Sequence, residues 1–312
     1  MFQKDTIFIK AAGKINLYLD IQGKRSDGYH NLQSILVPVN IYDDIEIIHL
    51  DDEVSVEVEY EFEHLDKISY IEEKDNIVYK IAIALKKLTG YSGGALIKIR
   101  KRIPMAAGLG GGSADAAAVL NGLNDFWNLN LSLETLMDVA SRFGSDIPAL
   151  IMGGAVLMEG RGEICSNIEL NSNIKEWQIV LFNPGIEVST GDIYKRYNSL
   201  LTKNKKLYYN TLSFLQQGRL VDVDKLLFND LQETVFAKYP LINMLVNTIY
   251  DKNPSGCLLS GSGATVFAVV SDGVKAEELI EHVKDRMECP LWCRTVNLLP
   301  DSVMVAHGPL TA

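Results

Sequence analysis

Pro104-Met-Ala-Ala-Gly108-Leu-Gly110-Gly111-Gly112-Ser113-Ala-Asp-Ala-Ala-Ala118 is the stretch on which the reading of this chain turns. Four of the five residues Gly108–Gly112 are glycine, which lets a ligand approach the main chain closely. Ser113 and the alanine-rich run behind it predict the start of a helix. Free N–H groups and the positive end of the helix dipole then face the loop, a ready site for an anion such as phosphate. Residues 86–102 lead into this loop with Lys86, Lys87, Lys98, Arg100, Lys101 and Arg102 and no acid. The common nucleotide fingerprints are absent. G-x-x-x-x-G-K-[ST] occurs nowhere, and Ser113 stands where G-x-G-x-x-G needs its third glycine. The H-R-D and D-F-G triplets of protein kinases are missing too. A phosphate loop without these features points to another nucleotide-binding architecture.

The rest of the chain sets the frame. Its 312 residues suggest two domains, long enough for a core that needs no disulfide or metal staple. The formal charge of −10 disfavours a nucleic-acid binder. Fourteen acids against two lysines give residues 43–75 a charge of −12, which reads as a solvated acidic surface. Cys165, Cys257, Cys289 and Cys293 form no C-x-x-C pair or zinc pattern, as expected of a reducing compartment. No run of 18 apolar residues marks a membrane span, and the first residues do not read as a signal peptide. A cytoplasmic protein without membrane or nucleic-acid partners is expected, as a monomer or weak homodimer.

Hydrophobic patterning predicts strands at Thr6–Ala12 and Ile15–Gln22, broken by Gly13, then Ser34–Val39, Asp44–Leu50 and the alternating Val54–Phe62. Helical spacing marks Asn76–Thr89, Ser113–Trp127, Leu133–Phe143 and Asp146–Met152, with strands at Ala95–Arg100 and Ala155–Met158. Beyond residue 160, helices are expected over Gly191–Leu200, Thr211–Gln217, Val221 to Val235, Pro240–Tyr250 and Val274–Met287. Strands are expected at Gln178–Asn183, Cys257–Leu259, Thr265–Val270, Trp292–Leu298 and Val303–Ala306. Strand runs mixed with helix runs argue α+β, with a boundary near residue 160.

With its flanking segments, the glycine loop resembles the central motif of the GHMP kinases. Lys14-Ile-Asn16-Leu-Tyr-Leu, the turn Asp27-Gly28-Tyr29-His30, Gly144-Ser-Asp146-Ile-Pro148, Gly160-Arg-Gly-Glu163 and Leu259-Ser-Gly261-Ser-Gly263-Ala264 extend the likeness from about residue 7 to about residue 300. The K-I-N and D-G-Y-H segments are similar to those of a branch that phosphorylates a cytidine-diphosphate-linked polyol in isoprenoid precursor synthesis. The resemblance implies a two-domain α+β protein. Residues 1–160 would form a ribosomal protein S5 domain 2-like ATP-binding domain, and 161–312 a ferredoxin-like domain whose last strands can return to the first.

Taken alone, an aspartate before Ile-Pro is most often a helix cap, and a lysine beside a strand is most often a surface residue. The resemblance makes Asp146 the proton acceptor and Lys14 its electrostatic partner. It assigns ATP to Asn76, Lys101, Pro104, Met105, Ala106, Ala107, Gly108, Leu109, Gly110, Gly111, Gly112, Ser113 and Ala114. The alcohol substrate falls to Asn16, Tyr29, His30, Thr190, Tyr194, Gly261, Ser262 and Gly263, with Tyr29 and Tyr194 sandwiching cytosine and His30 bonding its edge. Mg²⁺ is implied with ATP, but no acid stands out as its ligand. A homoserine or mevalonate-type kinase of the same family is the nearest rival, though it has no need of the D-G-Y-H turn. A non-catalytic ligand sensor of the same fold would not need both Lys14 and Asp146. An RNA-binding protein on the same N-terminal fold sits poorly with the charge.

Overall fold

The structure is a computed structural model that describes residues 5–61, 71–197, 199, 208–218, 220 and 223–301. The expected strand Val303–Ala306 and the positions Phe62, Leu200 and Val221 lie outside them.

Two long antiparallel strands form the spine. β1 (Thr6–Lys24) pairs with β2 (His30–Leu50), so Gly13 does not divide β1 and the two strands expected within residues 34–50 are one. Instead, the register shifts between Ala12 and Lys14 and again between Asn16 and Tyr18. The register moves by two residues at the first irregularity and by one at the second, and the strand changes faces across each. Ile7, Ile9 and Ala11 pack in one core cluster, Ile15 and Leu17 in a second, and Leu19 and Ile21 in the first again. Between the two bulges Lys14 and Asn16 therefore turn to the face that Ile9 and Leu19 occupy elsewhere on the strand.

The order of the first sheet is β3-β4-β2-β1-β8, with β5 (Val156–Gly160) on the free half of β2 and β6 (Ile164–Asn167) on β5. β3 (Val54–Tyr60) and β4 (Gly94–Lys101) carry the acidic and basic runs into register. Lys98 lies between Glu46 and Glu57, and Arg100 between Asp44 and Glu59. Cross-strand pairs of this kind contribute about 0.2–1 kcal/mol each. Arg100 also meets Glu61 at 3.1 Å, and Arg102 meets Glu61 at 2.9 Å and Asp44 at 2.6 Å. The acidic run is thus not wholly a solvated surface: Asp43 and Asp44 are buried, and this segment neutralises the basic strand beside it.

Four helices cover one face of this sheet: α1 (Ile77–Thr89), α2 (Gly111–Phe126), α3 (Leu133–Ser141) and α4 (Ile147–Met152). The small residues of α2 let it lie close on β1. A Cβ at Gly122 would come within 2.3 Å of Ile9 Cδ1.

The second sheet has the order β11-β7-β10-β9, all antiparallel. Its strands are β7 (Gln178–Asn183), β9 (Gly256–Leu259), β10 (Val266–Val270) and β11 (Trp292–Val296). With α8 (Pro240–Tyr250) and α9 (Gly273–Arg286) as crossovers this is the βαββαβ, ferredoxin-like arrangement. The boundary near residue 160 falls inside the β5–β6 hairpin, and the first sheet takes β6 and β8 from the second half. Val39 of β2 bridges Leu298, just past β11.

α5 (Thr190–Arg196) is shorter than the pattern suggests, and α6 (Tyr208–Gln217) starts three residues earlier than expected. The continuous helix expected from Val221 to Val235 is absent. In its place come a turn at Val223–Lys225, β8 (Phe228–Asn229) and α7 (Gln232–Lys238). Side chains override the helical pattern. Asn229 Oδ1 accepts from Leu231 N at 3.0 Å, and Asp230 Oδ2 accepts from Ile21 N at 3.1 Å and from the Tyr197 hydroxyl at 2.6 Å.

Candidate active site

One cleft of about 810 Å³ opens between the two halves of the molecule. The glycine loop 104–112 forms its floor. Gly110 stands before α2 with φ 67°, a left-handed angle that glycine adopts without strain, and no side chain caps the helix. The first N–H groups of α2 thus face the cleft as an anion site. Gly112 has open space where a Cβ would project, whereas a Cβ at Gly111 would meet Ile103 at 3.0 Å and Lys101 Nζ at 3.2 Å. Gly112 is therefore the residue whose missing side chain keeps the cleft open; Gly111 faces the strand beneath.

The second glycine loop closes over the first. Ser260 Oγ donates to Gly108 O at 2.9 Å, and Thr265 N donates to Ala107 O at 3.0 Å. A Cβ at Gly108 would lie 2.1 Å from Ser260 O, so only glycine permits this approach. Asn229 Nδ2 holds the loop from behind by donating to Leu259 O at 2.8 Å and Gly261 O at 2.7 Å. Thr190 and Ser262 join their hydroxyls at 2.8 Å and so tie α5 to the same loop.

Lys14 and Asp146 meet where the loops converge. Lys14 is 4% exposed, and its Nζ lies 3.1 Å from Asp146 Oδ2. Nζ also donates to Asn16 Oδ1 at 2.7 Å, Asn16 Nδ2 to Ser34 Oγ at 2.9 Å, and Ser34 Oγ to Tyr18 O at 2.7 Å. Lys14 N donates to Leu109 O at 2.9 Å, which fixes β1 to the first glycine loop. Asp146 precedes α4, but its side chain caps nothing. Neither bland reading survives: the lysine is buried, and the aspartate faces it. The geometry provides a carboxylate with lone pairs open to the cleft, held by a fixed ammonium.

An aromatic group lines the far end. The His30 and Tyr194 rings lie 5.6 Å apart, tilted by 36°, and Tyr197 meets His30 edge-on at 6.0 Å. Tyr29 is 56% exposed, with the Arg161 guanidinium 5.1 Å above its ring. Burial, helped by the charge of Lys24, holds His30 below the usual imidazole range, so the ring is neutral near pH 7 and offers one donor and one acceptor. Burial pushes the Tyr194 phenol up, and the charge of Asp146 adds to it.

Most of the residues singled out in the sequence line this cleft. Leu109, Ala114 and Gly263 do not. Leu109 and Ala114 point into core clusters, and Gly263 packs on Leu259. Asn76 lines the cleft while its Oδ1 caps α1 by accepting from Val78 N at 2.9 Å. Lys101 lines it with its ammonium bound by Asp43 and Asp115. Sequence reading gave no role to Ser34, Asp43 and Asn229, nor to Asp115 and Arg161, which stand inside motifs it quoted. Asn229-Asp230, a polar pair inside an apolar run, carried a further signal.

The fold and this cleft match known proteins. Models of the GHMP kinases N terminal domain and the GHMP kinases C terminal domain match residues 76–154 and 211–289. The chain belongs to the GHMP kinases, a family of small-molecule kinases. Within that family its relatives include 4-diphosphocytidyl-2-C-methyl-D-erythritol kinases. One from Alkaliphilus oremlandii is 37% identical over 278 residues, 89% of this chain and 92% of the relative. One from Thermoanaerobacter pseudethanolicus is 34% identical, over 93% of this chain and 96% of the relative. A crystal structure of 4-(cytidine 5'-diphospho)-2C-methyl-D-erythritol kinase superposes with a TM-score of 0.75 at 25% identity, covering 93% of this chain and 99% of that one. Homoserine kinase from Cytophaga hutchinsonii shares the fold, with a TM-score of 0.73 at 17% identity over 98% of this chain and 99% of that one.

Proposed function

We propose that this chain transfers the γ-phosphoryl group of ATP to the 2-hydroxyl of 4-diphosphocytidyl-2-C-methyl-D-erythritol, giving the 2-phosphate and ADP. The observation that carries the reading is the buried Lys14–Asp146 pair at 3.1 Å, set between two interlocked glycine loops and an aromatic pocket in one cleft. Relatives of that name, matched over about nine-tenths of the chain, support the choice of acceptor.

Phosphoryl transfer asks little covalent chemistry of a protein beyond positioning and charge stabilisation. The N–H groups at the start of α2 receive phosphate oxygens. Asp146 accepts the proton of the attacking hydroxyl. Lys14 fixes the carboxylate and adds positive charge beside the oxygen that develops charge. Asn16, bonded to both Lys14 and Ser34, faces the polyol hydroxyls. Tyr29, Tyr194 and His30 take the cytosine, two by their faces and one by its ring nitrogens.

Among the described residues no group of three or more His, Cys, Asp or Glu is placed to hold a metal ion. Mg²⁺ keeps its waters and binds chiefly through nucleotide phosphates with one or two carboxylates. It would neutralise phosphate charge, and Asp146, a carboxylate lining the cleft, would be the residue to hold it. No described helix is long and apolar enough to cross a membrane. Four unpaired cysteines support action in the cytoplasm.

The test is ADP release from purified protein with ATP and four acceptors: the cytidyl substrate, its base-free analogue, homoserine and mevalonate. Turnover confined to the cytidyl substrate supports the proposal. Equal turnover of homoserine or mevalonate overturns it and leaves the family assignment standing.

A further inference from the structure

Beneath the phosphate loop lies a cluster of charges of which only Lys101 has a part so far, as a contact of ATP. Lys101 ends β4, Asp43 lies on β2 and Asp115 on α2, and they are 6%, 0% and 3% exposed. Lys101 Nζ donates to Asp115 Oδ2 at 2.6 Å and to Asp43 Oδ2. Asp43 Oδ1 is filled by Arg102 N at 2.5 Å and Ile103 N at 2.9 Å, while Asp115 Oδ1 has no hydrogen-bond partner among the described residues. Two ionised carboxylates on one ammonium would leave net negative charge out of water, so the cluster favours a proton on one carboxyl. Burial pushes the Asp115 carboxyl up to about 8 against the pull of Lys101, with Asp43 adding to the rise. Burial works against the Lys101 ammonium, and Asp115 and Asp43 outweigh it.

Stability is a weak reason for such a cluster, because apolar side chains of similar volume often stabilise a fold as well as a buried ion pair does. Its place is also costly on its own. The ammonium sits 3.2 Å from where a Cβ on Gly111 would stand, under the first turn of α2, where the helix dipole disfavours a cation. An anionic or acceptor group on the cleft side reverses that sign. Lys101 and Asp115 both line the cleft. An ammonium carries three N–H bonds. Two go to the carboxylates, and tetrahedral geometry directs the third away from both.

We propose that Asp43 and Asp115 are positioning residues for the nucleotide: they fix Lys101 Nζ so that its third N–H meets an acceptor atom of ATP at the α2 end of the cleft. This rests on the ATP-kinase reading of the cleft. Neither carboxylate touches the reacting atoms, so the effect falls on ATP affinity and not on the chemical step.

The test is ATP binding by calorimetry without acceptor, on wild type, Asp115→Asn, Lys101→Met and the double variant, with steady-state kinetics and thermal melting. Lys101→Met should weaken ATP about ten- to hundredfold, the weight of a hydrogen bond from a charged donor, and Asp115→Asn, whose amide oxygen still accepts from Nζ but whose NH₂ cannot take the carboxylate's charge, by a smaller but measurable factor. The double variant should bind no worse than Lys101→Met, because Asp115 acts through Lys101. In both single variants the loss should appear as a raised KM for ATP, larger than any change in kcat or in the KM for the alcohol. ADP and adenosine locate the acceptor: an equal loss for all three ligands places it on the nucleoside, and a loss confined to ADP and ATP places it on the phosphates. A purely structural cluster predicts a lower melting temperature with unchanged ATP affinity, or additive losses, and either result overturns the proposal. If Asp115→Asn does not fold, Lys101→Arg decides. It keeps the charge but moves the donor, so wild-type affinity in Lys101→Arg refutes fixed positioning. Wild type that fails to bind ATP sinks the functional reading as well, a different outcome from an Asp115→Asn variant that binds normally.

Discussion

Asp146→Asn keeps the size of the side chain while removing one charge and one proton acceptor. Its cost can be worked from the contacts. Asp146 caps no helix N–H, so the loss of about 1 kcal/mol that follows a deleted cap does not apply. What is lost is the ion pair with Lys14 at 3.1 Å, in which the lysine side chain is 5% exposed and the aspartate 29%. Breaking a fully buried pair costs about 3–5 kcal/mol, and an exposed one about 0–1. Water reaches the carboxylate here, and the amide oxygen still accepts from Nζ, so the loss should fall near about 1–3 kcal/mol. The melting temperature then drops by several degrees without loss of the fold. The effect on turnover is larger. A positioned general base is worth roughly 10²–10⁴, or about 3–5 kcal/mol of barrier. The assay is ADP release at saturating ATP and cytidyl substrate, with ATP affinity measured separately. The expected result is a kcat lowered by at least about a hundredfold and an ATP affinity close to wild type. A kcat within a few-fold of wild type would show that Asp146 is not the proton acceptor and that positioning alone suffices. Collapse of ATP binding would show that the carboxylate shapes the phosphate site.

Tyr29→Ala should raise KM for the cytidyl substrate by a factor of roughly 5–150, since losing one stacking partner costs about 1–3 kcal/mol, while KM for ATP holds; competition by cytidine diphosphate checks this, and equal rises in both KM values would refute it. His30 is held neutral, so the same KM should stay flat down to about pH 6.5 and rise only below it; a rise already between pH 7 and 8 would contradict the neutral donor–acceptor role. Gly112→Val should fold normally, because a Cβ there meets nothing within 4 Å, yet it should abolish measurable ATP binding; unchanged affinity by calorimetry moves the nucleotide elsewhere. Asp115, raised to about 8, favours the folded state fully below its unfolded value near 3.9, and that contribution is lost as pH rises through 8. Melting of Asp115→Asn should therefore lack the part of the decline that wild type shows over that window, and parallel pH curves for the two proteins would refute the shift.

The glycine loops, Lys14, Asp146 and the Tyr29-His30 turn were legible because each is written in a short contiguous stretch whose conformation is local. Most helices and strands were legible by periodicity for the same reason. The rest is set by partners distant in sequence. Asp43 looked like one acid in a solvated run because nothing local says that β2 pairs with β4 in the register that sets Asp44 against Arg100 and brings Asp43 to Lys101. The helix expected through Asn229 failed because Leu259, Gly261 and Ile21 bind the side chains of Asn229 and Asp230. β6 escaped notice because Ile164–Asn167 is a mostly exposed edge strand without apolar alternation.

The reading of Gly13 joins these two kinds of information. In the sequence it marks a break between strands; in the fold it marks a bulge inside one strand. The difference matters chemically. In an unbroken register Ile15 and Leu17 would continue the face of Ile9, and Lys14 and Asn16 would point into the other core, where a lysine has no partner. The shift at Ala12/Lys14 sends the two apolar residues into that core instead. It turns the ammonium and the amide toward Asp146, and the second shift at Asn16/Tyr18 restores the strand before His30 begins β2. Two bulges four residues apart thus convert a structural strand into one wall of the cleft. They leave the pattern of hydrophobic residues intact on either side, which is why the patterning revealed the strand and concealed the mechanism by which it presents Lys14.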